Sequence, residues 1–276
     1  MFELPEYTTL ARQMNETLPG KVIRRGMLGN SPHKFVWYNR THEEFEALTG
    51  GKRIGPAGVR GRWLTLDLDP GYRLVLGECG GKVLFQSPSA AQPEKYHLFL
   101  SFEDGSGLTI LTTLWGAMEL YEAGRELDRQ YIKGMLPTPV DPAFTFDYFT
   151  GLVDELLKGG KRSVKSLLTQ DQLIPGLGNA IAQDILFRSR LHPRHSLSDL
   201  TTGQRHDLFS AIQETTREVI ENGGRYDETD LFGRPGGYNR LMDGQSVGKP
   251  CPVCGRTVEK LSYLGGTCYF CSGCQG

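Results

Sequence analysis

Two Cys-x-x-Cys pairs near the C-terminus constrain this chain more than any other feature. Cys251 and Cys254 form the first pair and, after 16 intervening residues, Cys271 and Cys274 form the second. Four thiolates at this spacing are typical of a tetrahedral structural zinc site. A redox dithiol is the alternative, but two pairs in one short segment favour metal. We interpret Cys268 as a bystander that could compete as a ligand.

The composition is that of an ordinary globular protein. The chain has 276 residues, of which 38% are hydrophobic and 23% charged, enough for two domains of usual size. It contains no run of 18 apolar residues, so we expect no membrane span and no membrane partner. Residues 1–6 include two acids and no apolar segment, so we expect a cytoplasmic protein without a secretory signal. We also expect a monomer.

The distribution of charge is more informative than its sum. The formal net charge of −1 argues weakly against a nucleic-acid partner. Residues 161–195, however, contain six Lys and Arg residues against two Asp residues. A local basic patch on a nearly neutral protein fits a binder that releases its target. A solvated helical face is an equally good interpretation of the charges alone.

The chain changes from strands to helices about halfway. Residues 5–17 read as a helix, and residues 21–114 read as short alternating strands with Gly-rich turns, which predicts an antiparallel β-sandwich. Three prolines within residues 130–145 mark a linker. Helical patterns follow at residues 146–157, 164–168, 179–190 and 202–222.

The predicted fold class is therefore α+β. We expect an N-terminal antiparallel β-sandwich with a flanking helix over residues 1–135 and a helical domain over residues 136–248. A C-terminal zinc finger is expected over residues 249–276.

Residues 172–179, with the sequence Gln-Leu-Ile-Pro-Gly-Leu-Gly-Asn, join two of the predicted helices. The glycines permit a tight backbone path, and Asn179 is predicted to cap the helix that follows. Exposed N–H groups at a helix start can bind a phosphate, so this helix–two-turn–helix is an anion-binding arrangement. An ordinary helix connection is the alternative.

Three segments, in order along the chain, resemble the formamidopyrimidine-DNA glycosylase and endonuclease VIII family. Residues 3–6 (Glu-Leu-Pro-Glu) are similar to its N-terminal catalytic motif, residues 172–193 to its helix–two-turn–helix, and residues 250–275 to its zinc finger. The resemblance implies a β-sandwich joined to a helical, zinc-bearing domain. It also implies damaged double-stranded DNA between them, with the damaged nucleotide flipped into a pocket.

The same resemblance makes Glu3 and Glu6 the candidate catalytic carboxylates, the first assisting the sugar chemistry and the second lying close behind it. A Glu at a helix start is otherwise a cap or a dipole partner. The family's usual nucleophile is the amine of a proline at position two, whereas this chain has Phe2. Methionine removal requires a small second residue, so we expect Met1 to stay and its amine to be misplaced for attack on the sugar C1′.

Five residues are candidate DNA contacts by resemblance. Lys165 and Asn179 would contact phosphates beside the lesion, and Arg62 lies where the family has a phosphate-binding lysine. Cys79 and Trp115 lie on loops that, in the family, fill the gap left by the flipped base. Trp115 can wedge between bases by stacking, with a core tryptophan as the alternative.

Two further departures from the family concern recognition. Leu114 replaces an arginine that in part of the family reads the opposite cytosine, so that preference is not carried over. The stretch Gly265-Gly266-Thr267 replaces a finger arginine that clamps phosphates, unless Arg225 or Arg240 substitutes for it.

These features leave two hypotheses. The first is a DNA glycosylase with weak or absent β-lyase activity, in which Glu3 activates a water and the Gly-rich loop at residues 223–238 shapes the base pocket. Asp227, Glu228, Asp230 and Tyr238 offer hydrogen-bonding groups in that loop, without assigned roles. The second is a non-catalytic binder of damaged or distorted DNA. Retention of Glu3 favours the enzyme, while Phe2 and the missing finger arginine favour the binder.

Overall fold

The computed structural model describes residues 1–29, 34–113 and 115–276, and these residues form two compact units. The first unit consists of Met1–Met135 together with Ile220–Tyr238, and the second consists of Leu136–Val219 together with Asn239–Gly276. The sequence places residues 220–238 in the helical domain, whereas here they pack with the N-terminal sandwich. Leu114 lies outside the described residues.

The first unit combines helices and strands in the order that follows. The elements are α1 (Leu4–Thr17), β1 (Ile23–Leu28), β2 (Val36–Tyr38), α2 (His42–Thr49), β3 (Arg53–Arg60), β4 (Trp63–Asp69), β5 (Tyr72–Gly77), β6 (Gly81–Gln86), β7 (Leu98–Phe102), β8 (Gly107–Thr112), β9 (Gly116–Glu122), a 3-10 turn (Arg125–Asp128) and α3 (Gln130–Lys133).

These strands form the predicted β-sandwich. One sheet has the strand order β1-β7-β8-β6 and is antiparallel throughout. The other has the order β2-β9-β5-β4-β3 and is antiparallel except for the parallel pair β2–β9. Leucines from both sheets share one buried core, among them Leu66, Leu74, Leu100 and Leu108.

Helix α1 flanks this core as its sequence predicts. Pro5 lies in its first turn, where a missing N–H costs nothing. Tyr7, Leu10 and Met14 recur at helical spacing and are fully buried in the sandwich core. Burying each such side chain contributes about 1.5–3 kcal/mol. The helix is therefore held by tertiary packing, and its first residues are fixed against the sandwich.

The second unit is helical and ends in a hairpin. Its elements are α4 (Phe146–Lys158), α5 (Val164–Thr169), α6 (Asn179–Arg188), a 3-10 turn (Leu197–Asp199), α7 (Thr202–Glu221, whose last two residues belong to the first unit), β10 (Glu259–Tyr263) and β11 (Gly266–Phe270). No helix in the described ranges has both the length and the apolar character needed to cross a bilayer.

Helices α5 and α6 form the predicted helix–two-turn–helix, with one correction. Gly178 is the N-cap of α6 and Asn179 is already its first helical residue, so Asn179 does not cap the helix. Gln172 stabilises the connection, because its side chain accepts a hydrogen bond from the Gly176 amide and donates one to the Leu177 carbonyl, each at 3.0 Å. Because Asn179 does not cap α6, its side chain can form a hydrogen bond elsewhere.

Candidate functional site

The four cysteines of the paired motifs come together at the base of the C-terminal hairpin. Their sulfur atoms all lie within 4.8 Å of one another, with Cys254 and Cys271 at 3.3 Å and Cys251 and Cys274 at 3.7 Å. Sulfur atoms this close match the ligand set of a tetrahedral zinc site. The four residues therefore fit the predicted structural zinc finger, while Cys268 is buried in β11 outside this cluster.

Two glycines shape the zinc knuckles. Gly255 follows the second cysteine with a φ of +76°, a left-handed conformation that favours glycine. At Gly273, a Cβ would lie 3.0 Å from the Cys254 sulfur and 2.5 Å from the Arg256 side chain. Both positions therefore need glycine, one for its backbone and the other for space beside a candidate ligand.

The tip of the hairpin contacts the helix–two-turn–helix. Lys165 donates from its ammonium group to the Tyr263 carbonyl at 2.6 Å, and Asn179 donates from its amide to the Thr267 carbonyl at 3.1 Å. A Cβ at Gly266 would lie 3.1 Å from the Asn179 amide oxygen, so a larger residue there would push Asn179 away. The two predicted phosphate-binding residues thus also hold the finger in this structure.

Phe2 belongs to the core and not to an open site. Its side chain is fully buried, its ring packs edge-on against Tyr7 at 5.7 Å, and its N–H donates to the Cys79 carbonyl at 3.0 Å. A chain that began at Phe2 would lose the contacts of Met1 but keep this buried ring. The residue at position two therefore contributes to the packing of the core.

The Met1 amine is held by a carboxylate. Its ammonium group lies 2.7 Å from a Glu228 carboxylate oxygen, and the Met1 carbonyl accepts a hydrogen bond of 2.8 Å from the Arg225 guanidinium. An amine that is charged and paired cannot act as a nucleophile until it loses its proton. The geometry thus opposes the family's usual imine chemistry at this terminus.

Glu6 and Arg225 form a buried ion pair behind Met1. Both side chains are only 3% exposed, and the carboxylate accepts hydrogen bonds from the Arg225 backbone, from two guanidinium nitrogens and from the Glu3 backbone at 2.8–3.1 Å. Burial alone would raise the pKa of Glu6, but the Arg225 charge and these donors lower it below its usual value. Glu6 is therefore a charged carboxylate whose four acceptor positions are used inside the protein.

Glu3 lies one turn ahead of this pair and is 4% exposed. It is the N-cap of α1 and forms a reciprocal capping box with Glu6. Glu3 therefore has the capping role that a Glu at a helix start often has. Any role for Glu3 in catalysis stays a prediction.

Two of the candidate DNA contacts are engaged within the first unit. Arg62 forms an ion pair with Glu78 at 2.7 Å, and its side chain is only 13% exposed. Cys79 is 2% exposed, and burial raises the pKa of its thiol to about 12. Glu78 just before it adopts a φ of +54°, and Cys79 belongs to the sandwich core, so a contact of its side chain with DNA stays a prediction.

Trp115, in contrast, lies on the surface. It is 45% exposed, so the alternative of a core tryptophan does not hold. Its ring stacks on Trp37, with centroids 5.1 Å apart and an interplanar angle of 15°. An exposed indole of this kind is available to stack on a nucleobase.

The loop at residues 223–238 is tied to the first unit. Asp230 accepts hydrogen bonds from the Gln13 side chain and from the backbone of Phe232 and Arg234 at 2.8–2.9 Å, and Gln13 in turn accepts from the Leu231 backbone. Tyr238 is 4% exposed. The loop is therefore an ordered part of the sandwich unit, which explains why residues 220–238 pack there.

The sequence reasoning missed the roles of Arg225 and Glu228. Arg225 was considered only as a substitute for the finger arginine, but it is 2% exposed and pairs with Glu6, and Arg240 lies 3.7 Å from Asp243. The available signal was the doublet Gly223-Gly224 before Arg225, since both glycines have positive φ. Such a doublet marks a tight approach, and a Cβ on Gly224 would lie 3.4 Å from Glu6.

Comparisons with known proteins agree with this architecture. Residues 1–112 match the formamidopyrimidine-DNA glycosylase N-terminal domain, and residues 135–229 match the formamidopyrimidine-DNA glycosylase H2TH domain. The formamidopyrimidine-DNA glycosylases of Chloroflexus aggregans and Roseiflexus sp. are each 31% identical to this chain over its whole length, covering 98% and 100% of those proteins.

Solved structures show the same fold over almost the entire chain. The Fpg (MutM) protein of Thermus thermophilus has a TM-score of 0.82 and 28% identity, covering 99% of this chain and 98% of that one. A Lactococcus lactis Fpg variant bound to Fapy-dG-containing DNA has a TM-score of 0.86 and 25% identity, with 99% of both chains covered.

Proposed function

The chain belongs to the formamidopyrimidine-DNA glycosylase family, and from that premise we propose that it recognises damaged double-stranded DNA and removes a damaged base by hydrolysing the N-glycosidic bond. We propose further that its β-lyase activity is weak or absent. The observation that carries this second part is the N-terminus, where the Met1 ammonium is paired with Glu228 and Phe2 is buried in the core.

Hydrolysis needs a water molecule in place of the amine. In the proposed reaction, the Glu3 carboxylate accepts a proton from a water whose oxygen bonds to C1′ while the bond from C1′ to the base nitrogen breaks. The base leaves with the electron pair of that bond and takes up one proton, and Glu3 gives up the proton it accepted from the water, so the carboxylate is regenerated. Glu6 does not touch the substrate in this scheme. It positions Glu3 by accepting the hydrogen bond of 2.8 Å from the Glu3 backbone N–H.

The DNA contacts proposed for the second unit are Lys165 and Asn179. Lys165 is 1% exposed, and among the described residues its ammonium group has a carbonyl partner but no carboxylate within ion-pair distance. A buried charge of this kind is costly unless it is compensated. To bind a DNA phosphate, the ammonium group would have to leave the Tyr263 carbonyl and become exposed. Arg62 is paired with Glu78 in this structure, so a phosphate would compete with that carboxylate for the guanidinium group.

Zinc would be held by Cys251, Cys254, Cys271 and Cys274 and would fix the hairpin that Lys165 and Asn179 contact. When bound, the metal supplies folding energy to a segment that has few apolar contacts of its own. The cytoplasmic location and the monomeric state expected from the sequence remain predictions.

A panel of duplexes carrying different base lesions tests the proposal. Base release is scored with and without alkali, and covalent adducts are trapped with borohydride. We expect at least one lesion to give base release that cuts the strand only after alkali, with little trapped adduct. Efficient trapping and nicking without alkali would show instead that an amine of this chain acts as the nucleophile.

A non-catalytic binder of damaged or distorted DNA is the second candidate. The observation that favours it is the engagement of the whole N-terminal site, since the Met1 amine, Glu6 and Arg62 all have ionic partners within the chain. Selective binding to lesion-containing duplexes without base release from any of them would support this function over the glycosylase.

A further inference from the structure

Arg225 joins three parts of the first unit through one buried guanidinium group. It bonds the Glu6 carboxylate of α1 through Nε and Nη2, each at 3.0 Å, and the Met1 carbonyl through Nη2 at 2.8 Å. The same group lies 3.6 Å from Glu228, whose carboxylate holds the Met1 ammonium at 2.7 Å. One side chain therefore links the N-terminus, helix α1 and the loop at residues 223–238.

The backbone around Arg225 is fixed by the fold of this loop. The Tyr226 N–H donates to the Tyr238 carbonyl at 2.9 Å, and the Tyr238 N–H donates to the Gly224 carbonyl at 3.0 Å. A Cβ at Gly236 would lie 2.2 Å from the Gly224 carbonyl oxygen, so the two segments approach this closely only because position 236 is a glycine. The guanidinium group is therefore in place before any substrate binds, and no reorganisation is needed at the moment of reaction.

The charges around Arg225 show what this group does to its neighbours. Glu3 and Glu6 are 4% and 3% exposed, and burying two like charges side by side favours the uptake of a proton by one of them. Burial by itself would lower the pKa of Arg225, but the negative charges of Glu6 and Glu3 raise it above its ordinary value. The guanidinium group is thus a permanent positive charge within electrostatic reach of both carboxylates, and it stabilises their ionised forms.

Stability alone is a weak reason for an ion pair at this position. Two buried charges lose their hydration, and a well-packed apolar pair of similar size is often at least as stable as a buried ion pair. The pair between Arg225 and Glu6 lies at the start of α1, where Glu3 is the N-cap residue. Its place directly behind the carboxylate proposed to activate water favours a role in the reaction.

We propose that Arg225 is a positioning residue for base removal, which holds Glu3 in place as a carboxylate so that it can accept a proton from water. The inference rests on the proposed glycosylase function and extends it to a residue that does not touch the substrate. Arg225 acts in two ways. It compensates the buried charge of Glu6 and Glu3, and it fixes the N-terminal residues through the Met1 carbonyl and the Glu6 side chain.

Substitutions of Arg225 test the proposal. The substrate is the duplex of the lesion panel from which the native protein releases base fastest, and the readouts are the single-turnover rate of base release and the dissociation constant. In Arg225→Met we expect the rate to fall about 100-fold, the loss that accompanies a misplacement of about 1 Å, with the dissociation constant nearly unchanged. Arg225→Lys keeps a positive charge but not the fork geometry, so it should recover part of the rate.

Phe45→Ala is the matched control for a loss of stability. The Phe45 ring is 1% exposed and lies in α2, an element that packs on β1 and contributes no residue to the N-terminal site. Removing a buried ring lowers stability to an extent similar to breaking a buried ion pair. Because this variant destabilises the same unit, it shows how much of the rate depends on stability alone. Circular dichroism at the assay temperature checks that each variant is folded.

The possible results separate this inference from the function on which it rests. A native rate in Arg225→Met, or an equal loss of rate in Phe45→Ala, would show that the proposal is wrong while the glycosylase function stands. If Arg225→Met does not fold, Arg225→Lys is compared with Phe45→Ala; a lower rate in Arg225→Lys supports the proposal, and a native rate overturns it. If the native protein releases no base from any duplex, both the function and the inference are wrong.

Discussion

The buried pair between Glu6 and Arg225 gives the sharpest prediction about stability. In Arg225→Met, Glu6 loses two of its four hydrogen-bond donors and its cationic partner in the described part of the chain, while remaining 3% exposed. Removing one partner of a buried ion pair typically costs about 3–5 kcal/mol, because the other charge is left uncompensated. We expect this decrease in the free energy of unfolding at pH 7.

The assay follows from the position of the tryptophans. Trp37, Trp63 and Trp115 all lie in the first unit, so tryptophan fluorescence during urea unfolding reports on that unit. With a denaturant slope of about 2 kcal/mol per M, the expected loss lowers the urea midpoint by about 2 M. Arg125→Met is the matched control, since Arg125 pairs with Asp128 at 2.8 Å but is 70% exposed, and it should cost at most about 1 kcal/mol.

The pH dependence provides a second, independent check. The pKa of Glu6 is lowered in the native protein, so the ionised carboxylate stabilises the fold above the usual pKa near 4.5, and this contribution is lost as the pH falls below it. In Arg225→Met, burial acts without compensation and raises the pKa of Glu6, so the carboxyl group takes up a proton at a higher pH. The difference in stability between native and variant proteins should therefore shrink from pH 7 to pH 4.

Two results would refute this reasoning. One is a loss below about 1 kcal/mol for Arg225→Met, equal to that of the exposed control. The other is a loss that is the same at pH 7 and pH 4. The double variant with Glu6→Gln adds a further check, because it removes the uncompensated charge and should recover part of the lost stability.

Three more predictions concern metal, DNA and catalysis. Cys271→Ser should release zinc and abolish DNA binding, whereas Cys268→Ser should retain the metal; metal analysis after dialysis distinguishes them, and zinc loss from Cys268→Ser alone would contradict the assignment. Asn179→Ala should weaken binding to an abasic duplex by about 1–3 kcal/mol, with affinity that falls as salt rises; equal affinity for intact and abasic duplexes in the native protein would reject lesion recognition. Glu3→Gln should abolish release of the damaged base with DNA affinity nearly unchanged, and Glu16→Gln on the exposed face of α1 is the control. Release at the native rate in Glu3→Gln would exclude Glu3 as the proton acceptor that activates water.

Local sequence patterns predicted much of the fold. The face of α1 formed by Tyr7, Leu10 and Met14 is buried as its spacing indicates, and the alternation of residues 63–68 corresponds to β4. The region of residues 21–114 was interpreted as strands only, which omits α2. Helix α2 starts with a capping box, in which Thr41 and Glu44 bond reciprocally. This local signal precedes a short helix with a single fully buried aromatic residue, Phe45.

Long-range pairing explains what the sequence did not predict. Glu6 and Arg225 are 219 positions apart, and nothing in either segment identifies its partner. Cys79, on the loop after β5, is buried in the sandwich core and follows Glu78, which adopts a left-handed conformation. Side-chain direction in a tight loop depends on φ values that residue types alone do not fix.

The departures at the N-terminus are connected by contacts and are not independent changes. Phe2 adds a ring to the core, and we expect Met1 to be retained because the second residue is large. Met1 then brings an ammonium group to the edge of the sandwich, where Glu228 neutralises it at 2.7 Å. Glu228 is held there because Arg225, three residues earlier, binds both Glu6 and the Met1 carbonyl. Replacing Phe2 alone with a small residue, so that Met1 is removed, would therefore leave Glu228 and Arg225 without their partners at Met1. We expect such a variant to expose an amine but not to regain an efficient nucleophile.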